Sequence, residues 1–173
     1  MADRFYTGIL RLVEIGIPPK IKNHLVLGQT NVTTASVYLG TNQTGLVDAA
    51  WTKVLLDTEF ADIGGNFSSN QYVAPVTGYY LFSWGAMFYT SAGGNHLLNA
   101  KTDLYVGGVA TGRRGSAYVG PAIEYYLSVG AAIMPLTATN YVDLRVSGYT
   151  DDASTYQLQA GGWTRLDVML LSK

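Results

Sequence analysis

Apolar and polar positions alternate along most of this chain with a period of two, the repeat of β-strands rather than of helices. In the run beginning at Tyr79, the side chains of Tyr80, Phe82, Trp84 and Phe88 share one side. Tyr79, Leu81 and Ser83 take the other, so both sides of this strand are largely apolar. A strand of that kind needs cover twice, from a second sheet on one face and from a neighbouring subunit on the other. Further strands are predicted over residues 32–39, 51–56, 72–74 and 101–106, with turns over 40–45 and 91–95. Pro75 and Gly78 mark a turn joining the short 72–74 run to the long aromatic one as a hairpin. Ile123, Tyr125, Leu127 and Val129 are expected on one strand face, and Val142, Leu144 and Val146 on another, with Asp143 and Arg145 pointing the opposite way. Near the C-terminus Thr164, Leu166, Val168 and Leu170 alternate with Arg165 and Asp167. Many short strands separated by turns predict an all-β sandwich of Greek-key type.

The central stretch carries a more specific pattern. Val54 to Leu56 is apolar, Asp57 to Asp62 is an acidic turn, Gly65 to Phe67 reads Gly-x-Phe, and Ala74 to Phe82 reads Ala-Pro-x-x-Gly-x-Tyr-x-Phe. This order resembles the globular head domain of complement subcomponent q, one of the tumour-necrosis-factor-like jelly rolls. Leu104 to Gly108 and Leu136 to Val142 fit the later part of the family pattern more loosely, with Gly107 in place of Asn and without the family's Gly-Asp turn. The resemblance covers residues 35–171. It implies a jelly-roll β-sandwich over 35–173 and a homotrimer, with Tyr80, Phe82, Trp84 and Phe88 as candidates for the core and the trimer contact.

Residues 1–34 precede that resemblance and read as an N-terminal extension. Phe5, Ile9, Leu10, Leu12, Val13, Ile15 and Ile17 crowd into a short apolar stretch that Pro18-Pro19 ends. It is either one more strand of the domain or an anchoring arm that docks on a different protein, because apolar patches of this size mark interfaces.

Composition narrows the alternatives. The 173 residues suffice for one domain with an arm. Thirteen Tyr, twenty Gly and a charged fraction of 13% favour aromatic strands and turns over helices. A formal net charge of -1, with no Lys/Arg run longer than two, gives no electrostatic footprint for nucleic acid. No stretch is long and apolar enough to span a membrane. The chain has no cysteine, hence no disulfide framework and no thiolate chemistry. Met1 to Gly8 lacks the form of a secretory signal, so synthesis in a cytoplasm is expected and the sequons at Asn31, Asn42 and Asn66 are read as chance.

Catalytic and metal chemistry find little support. His24 and His96 belong to no metal-ligand spacing. Asp57, Glu59 and Asp62 crowd what reads as a short loop, without the spacing of a calcium loop, and are expected to be a solvated turn. Residues 107–112 form a Gly-rich loop without a phosphate-binding pattern. Arg113-Arg114 is read as a solvated loop tip, and Asp151-Asp152 as an exposed turn. No enzyme activity, cofactor or metal is therefore expected. Heads of the kind this chain resembles are found in bacteriophage structural proteins, and that resemblance implies a virion structural protein, here a trimeric capsid decoration (cement) protein made in a host cytoplasm. It would dock on the major capsid protein or another virion protein through residues 1–34. The alternative is a tail-associated or receptor- or sugar-binding head with a host-surface ligand.

Overall fold

The structure, a computed structural model, describes residues 34–90, 96–151 and 155–173. The apolar stretch from Phe5 to Ile17, His24, Asn31, the turn expected over 91–95 and Asp152 lie outside the described residues. The strands are β1 (Thr34–Leu39), β2 (Gln43–Val47), β3 (Thr52–Lys53), β4 (Thr58–Ile63), β5 (Phe67–Ser68), β6 (Gln71–Val73) and β7 (Gly78–Tyr89). They continue as β8 (Leu97–Val106), β9 (Val109–Arg114), β10 (Tyr118–Ile123), β11 (Tyr125–Leu136), β12 (Tyr141–Thr150), β13 (Thr155–Leu158) and β14 (Gly161–Ser172).

These strands form a jelly-roll sandwich of two seven-stranded sheets. The first runs β2-β13-β7-β14-β1-β4, with β11 on the free side of β7. The second runs β10-β8-β12-β6-β5, with β3 against β12 and β9 against β8. The long central strand β7 buries Tyr80, Phe82, Trp84 and Phe88 between the sheets, where they meet Leu144 and Val146 of β12 and Leu166 and Val168 of β14. Each large apolar side chain removed from water in this way contributes roughly 1.5–3 kcal/mol.

The core also holds a polar chain. Trp84 Nε1 donates to Thr102 Oγ1 at 2.9 Å, and Thr102 Oγ1 lies 2.9 Å from Ser128 Oγ, which donates to the Ser116 carbonyl at 2.6 Å. This chain links β7, β8 and β11 across the interior. The Trp84 indole lies so close to Gly130 that any Cβ there would collide with its ring. Only glycine allows that approach.

Several expectations change. Pro75 and Gly78 do turn the chain, but β6 and β7 are not a hairpin: β6 pairs with β12 in the second sheet, whereas β7 is central to the first. The acidic segment expected as a loop is strand β4, with Glu59 and Asp62 at the edge of the first sheet. Charged residues there oppose edge-to-edge pairing, which is why strand and acidity coexist. The Gly-rich stretch is a tight hairpin: Gly107 and Gly108, both with positive φ, make the turn, and β9 carries Arg113 and Arg114 on a strand. Ile123 ends β10 in the second sheet while Tyr125 opens β11 in the first, so they share no strand face.

Candidate functional site

Alternation leaves every second residue of the first sheet pointing away from the core, and on β7 and β11 those residues are uncharged. The register sets them in rows. Ile133, Leu81 and Met169 lie side by side on β11, β7 and β14, and Thr34 with Ile63 extends that row across β1 and β4. Pro135 stands beside Tyr79, Leu127 beside Met87, and Tyr125 beside Tyr89. The last two rings stack with centroids 4.6 Å apart. Tyr79, Ile133 and Trp163 are each more than half exposed, at 54%, 54% and 58%. A contiguous apolar surface of this kind on a folded domain marks an interaction site.

Two features give the surface shape and direction. Gly85 sits between Val129 and Arg165 with no side chain, and a hollow of about 360 Å³ opens there, walled by Trp163 and floored by Trp84. A smaller hollow of about 220 Å³ lies where Ser83, Ser36 and Ala61 keep the middle row low, between Leu81 and Asp167. Beside it Arg165 Nε stands 3.3 Å from Asp167 Oδ2, and Ser36 Oγ donates to Asp167 Oδ1 at 2.6 Å. Pits within an apolar surface receive protruding side chains, and a paired charge at the rim fixes their register.

The opposite outer face, on the second sheet, is polar. Asp143 and Asp103 are almost fully buried there. Arg145 donates to Asp143 through Nε at 2.7 Å and Nη2 at 3.4 Å, and its guanidinium lies 4.1 Å from the centre of the Tyr105 ring. The hydrogen bonds to Asp143 raise the Arg145 pKa further above its ordinary value. Arg114 Nε approaches Asp103 at 3.7 Å, and Thr111 Oγ1 also reaches that carboxylate. Lys53 Nζ donates to the Ser69 carbonyl and to Gln71; burial lowers its pKa, Asp143 opposes that shift and Arg145 adds to it.

The residues singled out in the sequence separate as follows. Tyr80, Phe82, Trp84 and Phe88 are buried within one copy, so the surface a second copy can reach is the alternate set headed by Tyr79 and Leu81. Asp57 and Asp62 serve the backbone: Asp57 Oδ1 accepts from Gly40 N, and Asp62 accepts from the amides of Asn66 and Phe67. His96, the only histidine among the described residues, holds Asp151 through its backbone amide and its ring Nδ1, both at 3.0 Å. Among the described residues no three His, Asp or Glu side chains gather as a metal site. The sequence pattern missed the outward contribution of Ile133 and Trp163, although strict alternation from Met134 and from Thr164 would have assigned both.

No protein-family model and no curated protein sequence matches the chain. Solved structures match in fold. The globular domain of zebrafish complement 1qA superposes with a TM-score of 0.55 at 12% identity, covering 80% of this chain and 97% of that one. Murine APRIL superposes with a TM-score of 0.56 at 13% identity, covering 80% of this chain and 99% of that one. The described domain therefore has the complement-q and tumour-necrosis-factor-like jelly-roll fold.

Proposed function

We propose that this chain is a non-enzymatic structural protein that assembles as a homotrimer through the outer face of its first sheet. The contiguous apolar surface from Tyr79 and Ile133 to Met169 carries this reading. Cyclic closure covers that surface on every copy and leaves no sticky region free. The trimeric order follows from the family resemblance. Within this reading the trimer is a decoration protein of a virus capsid, and residues 1–34 are the arm that holds it to the major capsid protein. The apolar density from Phe5 to Ile17 and the family resemblance beginning only after it support the arm. Three arms on one trimer raise the effective concentration of each contact, so weak docking becomes lasting attachment.

The test has two parts. Sedimentation equilibrium of the full chain should give a trimer at micromolar concentration, and a monomer there would refute the assembly. Deletion of residues 1–34 should leave the trimer intact and abolish incorporation into particles lacking the protein. A truncated trimer that still binds particles as tightly as the full chain would refute the arm.

A further inference from the structure

The charges of the described domain are unevenly placed. Its residues include seven Lys and Arg against nine Asp and Glu, yet five of the seven cations lie on strands of the second sheet: Lys53, Lys101, Arg113, Arg114 and Arg145. The same strands carry only two carboxylates, Asp103 and Asp143. Both are buried beneath the cations and already paired, to Arg114 and Arg145 respectively. One row across the sheet, Lys53-Arg145-Asp103-Arg114 on β3, β12, β8 and β9, sets three cations around one acid. Strands about 4.8 Å apart place this row over roughly 14 Å. Next to it Lys101 has no carboxylate partner among the described residues; its ammonium rests 5.6 Å from the centre of the half-buried Trp51 ring.

We infer that the outer face of the second sheet, around Lys101, Arg114 and Trp51, is a binding site for an acidic polysaccharide carrying sulfate or carboxylate groups. Buried aspartates beneath a layer of arginines hold the guanidinium groups in place while cancelling only part of their charge, so the exposed layer is preorganised and positive. Arg114 is 61% exposed and meets Asp103 through one edge, leaving its other donors outward. An aromatic ring beside the cations offers the flat apolar surface on which a sugar ring lies. A sugar chain is favoured over duplex DNA because a pyranose ring presents an open apolar face to an aromatic side chain, whereas the bases of a duplex are stacked inside it. The site lies on the sheet opposite the apolar surface, so trimer assembly leaves it open, and the inference does not depend on where the trimer is attached.

The experiment measures binding of the full-length protein to heparin as the sulfated probe, at 50 and 200 mM salt, beside desulfated heparin and duplex DNA. Heparin should bind, with affinity falling as salt rises. Lys101→Gln combined with Arg114→Gln should lower it about tenfold and flatten the salt dependence by about one unit of slope per cation removed. Arg4, Arg11, Lys20 and Lys22 remain in both proteins, so a loss reports on this face and not on the N-terminal segment. Lys101→Gln alone, which leaves Asp103 paired, should retain the fold by circular dichroism and show part of the loss. No binding at 50 mM salt, or equal binding by wild type and the double variant, would overturn the site. DNA bound as tightly as heparin, with the same sensitivity to the two substitutions, would overturn the saccharide assignment. Sedimentation run in parallel separates either failure from a failure of the trimer.

Discussion

The outer faces of the two sheets follow the same alternation and carry opposite chemistry. On the first sheet the outward positions of β7 and β11 are uncharged, with Tyr79, Tyr125, Val129 and Ile133 exposed and Leu81, Met87 and Leu127 half-buried between them. On the second, the outward positions of β8 and β12 are Lys, Asp, Tyr and Arg, and they cover one another through ion pairs and ring contacts. The polar face pairs most of its charges within one copy, whereas the apolar face has no partner among the described residues. Inward residues decide that a strand belongs to a sandwich, and outward residues decide what the sandwich meets.

The largest effect expected from breaking this contrast is on assembly. Ile133→Asp or Leu81→Asp puts a carboxylate into the apolar surface and should convert the proposed trimer to a folded monomer in sedimentation equilibrium, because a buried unpaired charge is not tolerated. A trimer that survives both substitutions would mean that the copies meet elsewhere.

Next in size is a substitution on the polar face. Asp143→Ala leaves the partly exposed Arg145 without its bidentate partner and should destabilise the fold by about 2–3 kcal/mol in urea unfolding. Asp143→Leu with Arg145→Met should recover most of that loss, since an apolar pair of similar volume replaces the buried carboxylate and its half-buried partner. Failure of the double variant to recover would show that this face needs its charges for folding and not only for contact.

Beneath both faces, Trp84→Phe removes the indole donor to Thr102 and leaves a cavity where the larger ring packed, and should cost about 2 kcal/mol, seen as a lower urea midpoint with unchanged slope. The smallest effect concerns acid. The backbone amide of His96, and then its ring, hold the Asp151 carboxyl below the usual carboxylate range. A lowered folded value gives stability that is present above the unfolded pKa, near pH 4, and lost as pH falls through the folded one. Thermal melts between about pH 5 and 2 should therefore show a gentler acid decline for Asp151→Asn than for the wild type.

How far these faces were legible in the sequence depends on the strand. In β7 the alternation holds along the strand except at Gly85, which is buried between Trp84 and Ala86, so the assignment of Tyr80, Phe82 and Trp84 to one side followed from spacing alone. In β4 the pattern Thr-Glu-Phe-Ala-Asp-Ile has no buried side chain, because an edge strand need not bury one face fully. A segment with that composition looks like a loop until its partner strand is known. The β6–β7 connection was opaque for another reason. A proline-glycine turn between apolar runs looks the same whether the chain returns to its own sheet or crosses to the opposite one, and only long-range pairing with β12 and β14 distinguishes them. The cationic face was invisible for a related reason: Lys53, Lys101, Arg114 and Arg145 are scattered in sequence and meet only through the register.

The positions of the three tryptophans turn the molecule into its own reporter. Trp84 is enclosed between the sheets, Trp163 stands on the apolar face and Trp51 lies beneath Lys101 on the charged one. Each indole's emission depends on its surroundings, so single-tryptophan proteins, with Phe at the other two positions, would give three separate optical signals. Emission from Trp84 follows unfolding, that from Trp163 shifts when copies associate, and that from Trp51 changes when an anion displaces the lysine from its ring. Folding, assembly and ligand capture are then readable one at a time in the same cuvette, without a label.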